Sequence, residues 1–114
     1  MQQFGDQVVV VTGGGAGIGR ATCLRFANAG AAVVVAEINE ETGARTAADI
    51  VKASGKSLFV QTDVSDESSV VAMVGAVTDA YGRIDILVTY HHERAASRDT
   101  PIQRTACVRR LFVR

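Results

Sequence analysis

Thr12–Ala21, TGGGAGIGRA, holds five glycines within seven residues, between an unbroken apolar run and a segment of helical periodicity. A phosphate group lies against backbone N–H groups and the positive end of a helix only where no side chain intervenes, so glycine suits such a turn. The plainer reading is a tight strand-to-helix connection that needs glycine for backbone shape alone. One plain turn seldom needs so many, and the stretch reads as a ligand-binding turn. A P-loop requires GxxxxGK followed by Ser or Thr. Here the frame Gly14 to Gly19 continues with Arg20 and Ala21, which supply neither an ammonium for a terminal phosphate nor a hydroxyl for magnesium.

Outward from the turn, strand and helix alternate. Val8 to Val11 suits a strand covered on both faces, which favours a parallel sheet. From Gly17 to Ala29 apolar residues recur at Ile18, Ala21, Leu24 and Ala27, with Gly30 where a helix ends. Ala32 to Glu37 is a second strand, and Glu40 to Ser54 a second helix with Ala44, Ala48 and Val51 on one face. Leu58 to Thr62 makes a third strand. Ser65 caps a third helix with Asp66 and Glu67 in its first turn, and Val70, Met73, Val74, Val77, Ala80 and Tyr81 form its apolar face up to Gly82. Ile84 to Val88 is the fourth strand. Such alternation predicts an α/β fold of parallel strands joined by right-handed crossovers.

Glu37 ends the second strand, at the distance beyond the glycines from which an acid reaches the ribose hydroxyls of a bound adenosine. Its charge repels a 2′-phosphate, and neither Ala16 nor Ile38 offsets that, so NAD is preferred over NADP. The bland alternative is an ordinary acid at a strand end. Asp63 is placed to accept from the adenine amino group, with Val64 beside the ring, although Asp is also a common turn residue. Gly13, Gly15 and Gly17 also fit the GxGxG of S-adenosylmethionine-binding methyltransferases, the alternative function. Those proteins usually carry an acid shortly before the first glycine, and Val10, Val11 and Thr12 offer none.

The 114 residues suffice for one domain; 47% are apolar and 21% charged, as in ordinary globular proteins. No run is apolar enough to cross a bilayer and no charged leader is present, so the reading is a reduced, cytoplasmic protein, with Cys23 a small buried group and Cys107 incidental. The formal net charge of zero hides a split: residues 1–88 carry six basic and ten acidic groups, a net −4, and residues 89–114 six and two, a net +4. This break divides the chain into a dinucleotide-binding half-domain, 1–88, and an Arg-rich tail, 89–114.

The sequence resembles the short-chain dehydrogenase/reductase family. The resemblance rests on Thr12-Gly13-Gly14-Gly15-Ala16-Gly17-Ile18-Gly19 as TGxxxGIG, Glu37 as the ribose acid, Asp63-Val64 as the adenine pair, and Tyr81-Gly82-Arg83-Ile84-Asp85-Ile86-Leu87-Val88 leading into the fourth strand. It implies a partial Rossmann fold of about four parallel strands in the order 3-2-1-4 with three helices and an atypical C-terminal tail. It further implies hydride transfer between a nicotinamide cofactor and an alcohol or carbonyl. The cofactor-binding set is Thr12, Gly13, Gly15, Gly17, Ile18, Gly19, Glu37, Ile38, Asp63 and Val64.

The family continues with Asn-Asn-Ala-Gly, where this chain has Thr89, Tyr90, His91 and His92. Its catalytic Ser and Tyr-x-x-x-Lys are not found; Tyr90 to Arg94 is Tyr-x-x-x-Arg, falling where the cofactor turn belongs. The expectation is an inactive portion, its gene truncated or read out of frame after Val88, with a genuine short variant as the alternative. Translating the other two frames beyond Val88 discriminates them. An uncovered fourth strand invites self-association. The tail is poorly ordered or a short helix near Pro101 to Val113 that folds over that edge. Nucleic-acid binding by the arginines with Tyr90 and Phe112 ranks below a solvated tail, and metal binding by His91, His92 and Cys107 below chance adjacency.

Overall fold

A computed structural model describes residues 4–15, 17–93 and 103–110. The elements are β1 (Val8–Thr12), α1 (Gly17–Asn28), β2 (Ala32–Glu37), α2 (Glu40–Lys52), β3 (Lys56–Gln61), α3 (Glu67–Tyr81), β4 (Ile86–Glu93) and β5 (Gln103–Arg110). All five strands form one sheet in the order β3-β2-β1-β4-β5. The first four are parallel, giving the expected Rossmann order 3-2-1-4 with three helices.

The valine runs are buried because this sheet is covered on both faces. Val9, Val11, Val33 and Val35 pack with Cys23 of α1 and with Ala47 and Ile50 of α2. Val8, Val10 and Val34 face the other way, onto Met73 and Val77 of α3. Successive side chains of a strand alternate between faces, so an all-apolar run needs a cover on each side. Burying one such side chain contributes about 1.5–3 kcal/mol, and seven valines of β1 and β2 anchor both layers.

The helix faces correct the sequence expectation by about one residue. In α1 Ile18 and Ala21 are exposed and Leu24 is 37% exposed, while Gly19 and Cys23 are buried. In α2 Ala44, Ala48 and Val51 face solvent, and Gly43, Thr46, Ala47 and Ile50 face inward. Close glycine contacts set both rotations. A Cβ on Gly19 would overlap the Gly13 carbonyl oxygen, and one on Gly43 would overlap the Phe59 ring. With the glycine turned inward, the residues three, four and seven positions on follow it. The α3 face stands as expected at Met73 and Val77, with Val70, Val74 and Tyr81 half-buried and only Ala80 exposed. Its cap is Asp66 rather than Ser65: the Asp66 carboxylate accepts from Ser68 N at 3.0 Å, and Ser65 is held in a turn by Asp63.

The fourth strand continues past Val88 to Glu93. It pairs with β1 only from Ile86 to Val88. Along its other edge β5 runs antiparallel, from Ile86 opposite Arg110 to Glu93 opposite Gln103. The short helix expected near Pro101 to Val113 is thus replaced by a strand over Gln103–Arg110. A helix satisfies only its own backbone groups, whereas a strand also satisfies those along the free side of β4. The open β4 edge on which self-association was expected is therefore taken by β5. Residues 94–102 and 111–114 of the expected tail lie outside the described residues.

Asp85 ties the amino ends of β1 and β4 together. Its side chain is 1% exposed. It accepts from Val8 N at 2.8 Å and from Arg83 Nε at 3.0 Å, and its own N–H donates to Val8 O at 2.9 Å. Asp85→Ala strands the Val8 donor and unpairs a half-exposed guanidinium, a loss expected at about 2–3 kcal/mol. Urea unfolding should show a lower midpoint at an unchanged slope; an unshifted midpoint would contradict this role.

Candidate functional site

The carboxyl ends of β1, β2 and β3 carry the residues singled out in the sequence, and the glycine turn lies at their centre. Gly13 and Gly17 have φ of +68° and +58°, the left-handed region that glycine enters without strain. Gly14, Gly15 and Gly19 are glycine for want of space. A Cβ on Gly14 would lie 2.7 Å from Cys23 Sγ and 3.0 Å from Val35 Cγ1. One on Gly15 would overlap Thr42 Oγ1 and lie 2.9 Å from Glu37 Cγ. Gly19 presses α1 onto the turn itself. The start of α1 and the turn thus form a cradle of bare backbone, held by packing that leaves no room for a side chain at these positions.

Glu37 meets this cradle. A Cβ built on Gly13 would stand 3.9 Å from Glu37 Oε2, an ordinary van der Waals contact. The backbone is pinned nearby, Gly13 N donating to Ala36 O at 2.8 Å and Thr62 N to Glu37 O at 3.0 Å. Thr12 is buried, and its hydroxyl donates to Val88 O at 3.4 Å, tying the end of β1 to β4. Around this centre three apolar side chains stand in solvent, one in the first turn of α1 and two just past β2 and β3: Ile18 at 51%, Ile38 at 59% and Val64 at 54% exposure. An apolar group in that position gains from any flat ring laid over it.

Asp63 is at the same end of the sheet, held by its own turn. One carboxylate oxygen accepts from Ser65 N at 3.0 Å and Ser65 Oγ at 2.6 Å, and the Ser65 hydroxyl holds its pKa below the usual carboxylate value. The turn reading and the adenine reading thus fall on one side chain. Arg20, beside the turn, is engaged elsewhere, donating to Asp49 at 2.6 Å and to Thr46 Oγ1 at 3.1 Å on α2. Among the described residues no three His, Cys, Asp or Glu side chains gather as a metal site, and no helix is long and apolar enough to cross a membrane. A groove of about 530 Å³ between α1 and α2, lined by Ala21, Leu24, Ala27, Ile50 and Ala53 among others, includes none of the turn's glycines.

Sequence reasoning passed over α2. Thr42 and Gly43 pack against Gly15, and the buried Thr46 hydroxyl has two acceptors for its one proton, Thr42 O at 3.1 Å and Gly15 O at 3.4 Å. Gly43 was the available signal: glycine inside a helix costs about 1 kcal/mol relative to alanine, so its presence marks a close approach.

The sequence model of the family described as short chain dehydrogenase matches residues 7–93, ending where β4 ends. The short chain dehydrogenase/reductase astE of Aspergillus oryzae is 57% identical over 90 residues, 76% of this chain and 34% of that protein. A 3beta-hydroxysteroid dehydrogenase of Mediterraneibacter gnavus is 40% identical over 88 residues, 77% of this chain and 32% of that protein. Among solved structures, the citronellol catabolism dehydrogenase AtuB of Pseudomonas aeruginosa PAO1 superimposes with a TM-score of 0.76 at 33% identity, over 84% of this chain and 41% of that one. The chain spans about a third of the length of these two curated relatives.

Cys23 lies directly under the turn, fully buried, and desolvation pushes its thiol up to about 12. Below pH 9 it is neutral folded and unfolded alike; above that, only the unfolded chain ionises it, so its contribution to stability is lost as pH rises from about 9 to about 12. Unfolding free energy measured between pH 8 and 11 should fall with pH, and Cys23→Ala should flatten the slope by up to about 1.4 kcal/mol per pH unit. An unchanged slope would contradict the burial.

Proposed function

The chain belongs to the short-chain dehydrogenase family, and from that premise we propose that it is the NAD-binding portion of an oxidoreductase acting between an alcohol and a carbonyl. The observation that carries this reading is the meeting of Glu37 with the glycine turn, its Oε2 beside Gly13. The amides of Gly14 and Gly15 and the first turn of α1 would hold the cofactor's diphosphate, the Gly13 amide being given to Ala36 O. Glu37 would accept from both ribose hydroxyls, Ile18, Ile38 and Val64 would pack on the adenine, and Asp63 would accept from its amino group. Thr12 shapes the base of the site by fixing the end of β1 to β4.

The preference for NAD rests on charge. A 2′-phosphate placed at the ribose would meet the Glu37 carboxylate, while the one cation beside the turn among the described residues, Arg20, is bound to Asp49. Bound nicotinamide supplies hydride exchange; no residue in these 114 is assigned to proton transfer. Tyr81 and Tyr90 are followed four positions on by Asp85 and Arg94, so neither forms Tyr-x-x-x-Lys. A reduced, cytoplasmic setting accords with Cys23 as a free thiol.

Calorimetric titration of the purified chain with NAD tests this. Binding is expected, weakened about tenfold or more by Glu37→Ala through loss of two charge-assisted hydrogen bonds, with no alcohol-dependent formation of NADH. Absence of NAD binding, or turnover of an alcohol, would overturn the reading.

A further inference from the structure

Three glycines line the Glu37 side chain along its length. Its Cβ lies 3.0 Å from where a Cβ on Gly43 would stand, its Cγ 2.9 Å from one on Gly15, and its Oε2 3.9 Å from one on Gly13. The acid thus lies in a slot between the turn and the start of α2. The opposite wall is closed: Phe59 packs its ring against Gly43, and Asn39 caps the helix by accepting from Thr42 N at 3.1 Å.

Gly15 differs from Gly13 and Gly17 in kind. Its φ lies outside the left-handed region, so an L-residue could adopt this backbone, and what glycine provides there is room. A methyl group at position 15 would press on Glu37 Cγ at 2.9 Å, closer than such atoms normally come, and Cγ is not the free end of the side chain. Relief by turning χ1 of Glu37 to another staggered well carries the carboxylate away from Gly13.

We propose that Gly15 is a specificity-determining position: by leaving the slot for the Glu37 stem it fixes the carboxylate beside Gly13, where the acid discriminates a ribose hydroxyl from a 2′-phosphate. The proposal deepens the NAD-binding reading and rests on it. Possession of the acid is then insufficient for discrimination; the acid must also be held in place. Thr46 acts with Gly15, its hydroxyl 3.4 Å from Gly15 O, keeping α2 close enough to form the slot.

The test is the ratio of NADP to NAD dissociation constants, measured by calorimetry on the full chain. Thr42→Ala removes the severest contact a new methyl group would meet, leaving Glu37 Cγ at 2.9 Å and Gly43 N at 3.0 Å. It therefore serves as the reference for Gly15→Ala/Thr42→Ala, with thermal melts verifying that both fold. The double variant is expected to lower the ratio by about tenfold or more, toward the value for Glu37→Ala. Gly75→Ala, exposed on α3 with no neighbour within 4 Å, should keep the wild-type ratio. An unchanged ratio in a folded double variant would overturn the proposal, as would equal loss of both dinucleotides, which would show the methyl group blocking the diphosphate instead. Failure of the wild-type chain to bind either dinucleotide would sink the NAD reading itself, and this proposal with it.

Discussion

The contact of Gly19 with the carbonyl of Gly13 governs the rest of the structure. Helix α1 can start against the turn only if nothing projects from that position. Because it does start there, its rotation places Cys23 against Val35 and the underside of Gly14. The cradle and the core beneath it are two consequences of one backbone approach. A side chain on Gly19 would therefore disturb both packing and site, and binding and stability at this position are not separable.

The second constraint is placed one strand over. Glu37 stands where β2 delivers it, but its direction is decided by α2 through Gly43 and by the turn through Gly15. Arg20, Thr46 and Asp49 fasten α1 to α2 across the back of the site. Glycine turn, acid and second helix thus behave as one unit. At the opposite end of the sheet Asp85 does comparable work, joining β1 to β4, so both ends of β1 are tied to its neighbours.

Much of this was legible in the sequence, for reasons that can be stated. Valine runs broken by glycine gave the parallel strands, since only a strand buried on both faces has no polar alternation. The turn and Glu37 were legible because their spacing is a geometric requirement of the fold. The inward faces of α1 and α2 were misread, Ala27 excepted, because the expectation followed the apolar residues alone, whereas the close contacts are made around glycines it did not count, Gly19 with Cys23 and Gly43 with Ala47 and Ile50. With the glycine turned inward, the helical repeat carries Ile18 and Val51 outward. The tail was misread for another reason. Arginines interrupt any apolar face between Gln103 and Arg110, but strand pairing draws on the backbone and needs no such face.

The central claim is that a dinucleotide's diphosphate rests on the amides of the glycine turn while Glu37 holds its ribose. Backbone ¹⁵N–¹H spectra recorded during an NAD titration test it most directly. The account predicts that the amide signals of Gly13–Gly15, Gly17–Gly19, Glu37–Ile38 and Asp63–Val64 shift together along one saturable curve, with those of α3 beyond its first turn nearly still. Saturating NAD that left the turn amides unmoved, or moved only residues remote from it, would contradict the account.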